Sequence, residues 1–193
     1  MSFSDAANPE FFRKDPHKFW FFYGHRYHSY NTTEPHSGFT KLKDLKKDTF
    51  VFTSNVDNHF LKAGFPEDSI LECHGSIFHF QCAKCGTIEE RREETFELDT
   101  AKFESKHVPC CSSCRTPARP NILMFGDWDW ISDRTDRQES RFHKWLHESK
   151  AKKLAIVEIG AGNAVPTVRY QSEQALRQHR FQTCHLIRIN PHE

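Results

Sequence analysis

Two Cys-x-x-Cys pairs constrain the fold of this chain more than any other sequence feature. Cys82 and Cys85 form the first pair, and Cys111 and Cys114 form the second. A tight turn lets the two thiolates of each pair point at one ion, and two such pairs complete a tetrahedral four-cysteine zinc site. Because four protein ligands close the coordination sphere, we predict a structural zinc rather than a catalytic one.

The polar segment that contains these pairs needs a stabilising cross-link such as a bound metal ion. Residues 81–118 are rich in charged side chains and contain five of the seven cysteines, so they cannot bury enough apolar surface to fold unaided. We therefore predict a zinc-binding module over 81–118. A redox Cys-x-x-Cys pair or four unrelated thiols are the alternatives, and Cys110 offers a substitute ligand. Cys73 and Cys184 stand in strand-like contexts, where a thiol is usually a small buried apolar group.

The charge balance and the apolar composition limit the class of protein. Lys and Arg number 27 and Asp and Glu number 26, which gives a net charge of +1, whereas a nucleic-acid surface needs a basic excess. The 18 phenylalanines supply large side chains for a core. No run approaches the roughly 20 apolar residues of a membrane span, and the N-terminus does not resemble a secretory signal. Since paired thiols also suit a reducing compartment, we expect an intracellular protein, cytoplasmic or nuclear.

The N-terminal part of the chain, residues 5–47, is predicted to be helical. Asp5 or Asn8 caps a short first helix, and helical patterns follow at 16–30 and 36–47. A buried strand over 49–53 comes next. Further along, we predict a strand at 121–125 and an exposed helix at 134–150.

The C-terminal part shows the pattern of a complete βαβ unit. A buried strand at 153–159 ends in the glycine turn Gly-Ala-Gly at 160–162, a helix follows at 165–179, and a last strand covers 184–190. Strand, turn, helix and strand in this order predict an α/β fold with a parallel sheet.

Three polar segments after predicted strands are candidate ligand sites. Backbone N–H groups at 160–162 can receive a phosphate, but the third glycine of the dinucleotide fingerprint is absent and a ligand-free turn is an equal alternative. Thr-Ser-Asn-Val-Asp at 53–57 follows a strand, where ligands bind in open α/β sheets, although these are also ordinary turn residues. His74 is either a satisfied polar group or a functional side chain.

Taken in order, these segments resemble the sirtuin family of NAD-dependent protein deacylases. The resemblance is carried by residues 53–57, Glu-Cys-His-Gly at 72–75, the two cysteine pairs, residues 119–127, residues 160–166 and Ile-Asn at 189–190. It covers residues 36–190 in unbroken order, and the ordered set is much more specific than any single segment.

This resemblance implies a Rossmann-like NAD-binding domain made of residues 1–80 and 119–193, with the zinc module 81–118 inserted between its strands. The family begins this domain with a strand and a Gly-Ala-Gly-x-Ser loop, followed by an Asp-Phe-Arg segment, and neither occurs here. That strand is central in a Rossmann sheet. We therefore expect an incomplete parallel sheet that lacks its first strand and exposes two strand edges, and weak NAD binding by this chain alone.

The resemblance also implies a reaction, in which removal of an acyl group from lysine is coupled to cleavage of NAD. The acyl oxygen attacks the ribose carbon as nicotinamide leaves, and His74 matches the catalytic general base that acts on a ribose hydroxyl. The remaining matches are Ser54, Asn55 and Asp57 at the nicotinamide and ribose end, Gly160, Ala161 and Gly162 on the phosphate side, Asn190 on the adenosine side, and Met124, Phe125 and Gly126 beside an extended substrate peptide.

Three positions depart from the family pattern. Ser54 stands in place of the usual Gln, Gly-Ala-Gly at 160–162 replaces Gly-Thr-Ser, and Asp127 replaces Glu. These changes alter polar groups beside the cofactor and the peptide, so the resemblance does not imply which acyl chain or which target protein this chain would use.

The sequence thus predicts a sirtuin-type protein-lysine deacylase with NAD and Zn²⁺ as cofactors. Its expected partner is an acylated-lysine protein or peptide, with no direct nucleic-acid or membrane partner. The alternatives are a sirtuin-fold ADP-ribosyltransferase or NAD hydrolase, and an inactive zinc-stapled fragment.

Overall fold

The structure, a computed structural model, describes residues 2–45, 48–178 and 181–191. The helices in these ranges are α1 Phe3–Ala6, α2 Pro9–Lys14, α3 Pro16–Thr32, α4 Ser37–Leu45, α5 His59–Lys62, α6 Asp133–Glu148 and α7 Thr167–Gln178. The strands are β1 Val51–Thr53, β2 Ile70–Glu72, β3 Gly75–Cys82, β4 Ile88–Glu90, β5 Leu98–Asp99, β6 Glu104–Ser105, β7 Ala118–Ile122, β8 Lys153–Ile159 and β9 Thr183–Ile189. No helix among these residues combines the length and apolar character needed to cross a bilayer.

Side-chain caps set the starts of the first helices. The Asn8 side chain accepts a hydrogen bond from the backbone N–H of Glu10 at 2.8 Å, which confirms its predicted role as the cap of α2. Asp5 does not cap a helix; it lies inside α1, and its carboxylate accepts the backbone N–H of the true cap, Ser2. The predicted end of α4 at Lys47 lies outside the described residues.

The aromatic residues of α3 form the centre of the main core. Phe19, Trp20, Tyr23 and Tyr27 are all buried, because their spacing places them on one face of the helix. The Trp20 indole packs against Phe80 of β3 in a tilted arrangement, with 4.9 Å between ring centroids, and its N–H donates to the backbone of β7 at 3.0 Å. Aromatic packing therefore joins the N-terminal helices to the middle of the chain.

Two parallel strand pairs confirm the predicted α/β class. β1 pairs with β2 from Val51↔Ile70 onward, and β8 pairs with β9 over seven residues, Lys153↔Thr183 to Ile159↔Ile189. Among the described strands the two pairs belong to separate sheets. They share a hydrophobic cluster in which Leu71 of β2 packs with α6, and β8 contributes a partly buried side chain.

An antiparallel sheet in the order β4-β3-β7 lies beside these pairs. β7 covers Ala118–Ile122, so the strand predicted at 121–125 was wrong by three residues. The chain leaves the sheet after 122, where the N–H of Leu123 donates to the carbonyl of His74. The prediction that Cys73 lies in a strand was also wrong, because this residue lies in the turn between β2 and β3.

The C-terminal elements lie where the sequence predicted them, but their burial was predicted wrongly. The helix α6 is not exposed throughout, because Phe142 and Leu146 are buried, and β8 is largely exposed rather than buried, with Ile159 52% exposed. β8 has the predicted bounds, and α6, α7 and β9 differ from the predicted ranges by one or two residues at their described ends. Cys184 lies within β9, as its context indicated. The predicted end of α7 at His179 lies outside the described residues.

Candidate functional site

The four paired cysteines converge on one point. The Sγ atoms of Cys82 and Cys114 are 3.4 Å apart, those of Cys85 and Cys111 are 3.7 Å apart, and all four lie within 4.8 Å of one another. A tetrahedral zinc with Zn–S bonds of about 2.3 Å places its sulfurs roughly 3.8 Å apart. The cluster therefore has the size and the donor set that zinc requires.

Surrounding polar groups orient this cluster. The Cys85 thiol contacts the Thr87 hydroxyl at 3.2 Å. Hydrogen bonds from Thr87 and from the neighbouring thiols together lower the pKa of Cys85 to about 6, which favours the thiolate that binds metal. The Glu89 carboxylate accepts the backbone N–H of Ser112 at 2.9 Å, which ties the strand after the first pair to the second pair. Cys110, the possible substitute ligand, instead donates to the carbonyl of Val108.

His74 lies in a tight turn between β2 and β3. Gly75 has φ +79°, and a Cβ at this position would lie 2.0 Å from the carbonyl oxygen of Asn121, so only glycine fits. The turn places Nε2 of His74 3.3 Å from Oγ1 of Thr167, the first residue of α7. Burial lowers the pKa of His74, and a contact with the backbone of Ser54 partly opposes this effect.

The polar residues after β1 border a small crevice. Its lining includes Asn55, Asp57 and His59. One carboxylate oxygen of Asp57 accepts the backbone N–H of His59 at 2.9 Å, and the other is 3.8 Å from Nδ1 of that imidazole. The opposite ring nitrogen of His59 is buried without a partner among the described residues. Sequence reasoning missed His59, although the Asp-x-His spacing at the start of α5 was a usable signal.

The glycine turn after β8 joins the last strand. The N–H of Gly160 donates to the carbonyl of Ile189, and the Asn190 amide donates to the carbonyl of Ala161, both at 2.9 Å. Arg169 of α7, which the sequence did not single out, donates to the same Ala161 oxygen at 2.8 Å. Because α7 begins only at Thr167, the turn residues and the helix N-terminus are separated by an irregular loop.

A buried ion pair holds the loop after β7. The Arg119 guanidinium donates to both carboxylate oxygens of Asp127, at 2.7 and 2.9 Å. Asp127 also accepts the backbone N–H of Met124, whose side chain is buried. The backbone N–H of Phe125, predicted to face a peptide, donates to the carbonyl of Ala7 at 3.1 Å.

His74 thus contacts three separate segments of the chain, and the cysteine cluster lies apart from it. Ser54, Thr167 and Leu123 each contact His74, which brings the ends of β1, β7 and the loop before α7 together. The cysteines lie at the other end of β3, whose eight residues span roughly 20 Å or more. A zinc in that cluster cannot touch chemistry at His74.

The sequence model that describes the Sir2 family matches residues 1–165 of this chain. This chain belongs to the Sir2 family. Since that match covers most of the sequence, membership does not depend on any single motif.

Relatives in the Sir2 family show how much of a whole protein this chain represents. An NAD-dependent protein deacylase of Thermococcus sibiricus is 33% identical over 126 residues, which cover 64% of this chain and 48% of that protein. The mitochondrial NAD-dependent protein deacylase sirtuin-5 of Xenopus tropicalis is 28% identical over 142 residues, covering 63% and 45%. The chain spans about half the length of these relatives.

Solved Sir2 structures share the fold. A complex of a Sir2 homologue with NAD matches with a TM-score of 0.70 at 21% identity, covering 98% of this chain and 66% of that one. Sir2Tm bound to a propionylated peptide matches with a TM-score of 0.71 at 20% identity, covering 100% and 75%. These matches confirm the Rossmann-like α/β fold of this Sir2-family chain.

Proposed function

We propose that this Sir2-family chain carries the catalytic region of an NAD-dependent protein-lysine deacylase. The observation that supports this most directly is the position of His74, which the Gly75 turn holds at the carboxyl end of β2 between the end of β1 and the start of α7. Ligands bind at this edge in open α/β folds, and the relatives named above are NAD-dependent deacylases.

His74 is proposed to act as the general base. Burial lowers its pKa, so the imidazole is neutral near pH 7 and can accept a proton. Nε2 is 3.3 Å from the Thr167 hydroxyl, and a ribose hydroxyl at a similar distance would be within reach for proton transfer. NAD, when bound, supplies the ribose carbon that receives the acyl oxygen as nicotinamide leaves.

The cofactor is proposed to lie between the ends of β1 and β8. Asn55, Ser54 and Asp57 offer amide, hydroxyl and carboxylate groups suited to a carboxamide and ribose hydroxyls. A Cβ added at Gly160 or at the last glycine of the turn, 162, would meet nothing within 4 Å, so a phosphate can approach this turn. Because the N–H of Gly160 already donates to Ile189, the N–H groups of the next two residues are proposed to bind it. Ala161 lies between these two glycines, and its carbonyl accepts a hydrogen bond from the Asn190 amide. Asn190 is proposed to lie on the adenosine side of the cofactor. These groups fit NAD chemically.

The acyl-lysine substrate is proposed to lie along Met124, Phe125 and Gly126. Because the N–H of Phe125 already binds Ala7, strand addition by a peptide is proposed to depend on Gly126. This residue has φ +65° and open space around it.

The zinc module is proposed to serve as a separate structural unit over 81–118, inserted into a domain made of 1–80 and 119–193. One Zn²⁺ held by Cys82, Cys85, Cys111 and Cys114 would complete it. Four metal-binding thiolates require reduced cysteines, so we place the protein inside the cell.

The test is a deacetylation assay of the zinc-loaded chain with an acetyl-lysine peptide and millimolar NAD, following nicotinamide and deacetylated peptide separately. We expect equal amounts of both products and a loss of about 100-fold or more in His74→Ala. His143→Ala, which removes an exposed histidine on α6, is the matched control and should retain activity.

The two products also separate the alternatives. Full activity in His74→Ala would contradict the assigned base. Nicotinamide release without deacetylated peptide would instead indicate an ADP-ribosyltransferase or NAD hydrolase. Absence of both products from a folded, zinc-loaded chain would indicate an inactive fragment.

A further inference from the structure

One face of α6 lines a polar cavity of about 310 Å³. The cavity lies between α6, β3, β4 and the 3-10 turn Glu67–Ser69. The charged and titratable side chains that line it are Glu67, His79, Glu90, Arg134, Arg137 and Arg141. It shares Glu67, Arg134 and Gln138 with the crevice beside Asp57, but His79, Arg137 and Arg141 do not line that crevice.

The three arginines reach the cavity because they are three and four residues apart on the helix. Arg134 forms a largely buried ion pair with Glu72, yet its Nη1 is buried with no hydrogen-bond partner among the described residues. The Nε atom of Arg141 is also buried with no hydrogen-bond partner among the described residues. The structure shows no ion pair for Arg137 or Arg141 within the described part of the chain.

The carboxylates of the cavity offset the charge of these arginines only in part, and Glu90 attracts Arg134 as well as its closer partner. Glu90 pairs with Arg92 of the same segment, and Glu67 lies at the exposed rim. The Nδ1 atom of His79 is also buried without a partner in the described residues. A buried donor left unpaired is destabilising, so a ligand with several acceptor oxygens would stabilise this cavity.

We propose that the α6 cavity is a binding site for a small phosphate-bearing anion. Guanidinium groups bind phosphate oxygens through paired, charge-assisted hydrogen bonds, and the neutral imidazole of His79 adds one more donor. The volume of 310 Å³ is at the lower end of the range for small-molecule sites. That size suits free phosphate or the phosphate of a nucleoside monophosphate, and the absence of a basic excess argues against a polymer.

Calorimetric titration of the zinc-loaded full chain with inorganic phosphate and with AMP tests this proposal. We expect saturable binding with a Kd below about 10 mM. Arg141→Gln and the exposed Arg137→Gln should each weaken binding about tenfold or more. Lys144→Gln removes one charge from α6 outside the cavity and should leave the affinity unchanged. Tighter binding of AMP would identify a nucleotide site, and equal binding would identify a site for the phosphate alone.

Three results would overturn the proposal: no saturable binding, equal weakening by Lys144→Gln, or unchanged affinity in both arginine variants. Gly162→Val separates this site from the proposed cofactor site, because it places a side chain over the turn at 160–162 that is proposed to receive the cofactor phosphates. Phosphate binding should survive that substitution, and its loss would show that phosphate binds in the cofactor site instead. Zinc content and circular dichroism of each variant identify misfolding, and exposed Arg137 gives a variant expected to fold normally.

Discussion

Replacing Asp127 with Asn tests the buried ion pair that holds the loop after β7. Arg119 is 3% exposed and Asp127 is 0% exposed, measured on their side chains. Two hydrogen bonds of 2.7 and 2.9 Å join them. Asn has nearly the same shape as Asp, so the substitution removes the charge without creating a cavity.

The expected loss is large because the guanidinium would keep its charge without a counter-ion. Removing one partner of a buried pair costs about 3–5 kcal/mol of the free energy of unfolding, out of a total of about 5–15 kcal/mol for a typical domain. The double variant Arg119→Met with Asp127→Leu removes both charges. It should cost clearly less than the sum of the two single variants, because neither charge is then left unpaired.

Urea denaturation of the zinc-loaded chain, followed by circular dichroism, measures this loss. Lys106→Gln is the matched control, since it breaks the ion pair with Glu97 whose side chains are 65% and 73% exposed. That change should cost less than about 1 kcal/mol. If Asp127→Asn costs no more than the control, the burial argument for the pair is refuted.

Three further predictions concern the metal, the turn and the pH dependence. Cys111→Ser should abolish the one tightly bound zinc per chain measured by metal analysis, whereas Cys184→Ser should retain it; equal zinc in both would contradict the four-cysteine site. Gly75→Ala should lower the free energy of unfolding by more than about 1 kcal/mol, because its Cβ would clash with the backbone of β7, while Gly162→Ala, which meets open space, serves as the control. Burial lowers the pKa of His79 to about 4 from an ordinary value of 6.5. Between these values the unfolded chain binds a proton that the folded chain does not, so stability should fall by about 3 kcal/mol as the pH drops through this window. Denaturation of His79→Gln should show that part of the pH dependence removed.

Local patterns predicted the elements that depend on neighbouring residues alone. The cysteine spacing predicted the thiol cluster, because each pair lies in a tight turn, although the pairing of β3 with β7 is what brings the two turns together. A short apolar run located β8, and the glycines after it marked the turn that follows this strand. The strand at 121–125 was misplaced because Leu123 and Met124 look strand-like in sequence. In the structure, the N–H of Leu123 donates to the carbonyl of His74, and the N–H of Met124 donates to the carboxylate of Asp127.

By itself, the sequence determined the α/β class, the zinc-type cysteine cluster and the resemblance that led to the Sir2 family. Only the tertiary structure decided which side chains meet. His74 contacts Thr167 across 93 positions of sequence, and the α6 arginines meet His79 of β3 around one cavity. Such contacts depend on how elements pack through burial and backbone hydrogen bonding, and no local spacing encodes the partner on another element.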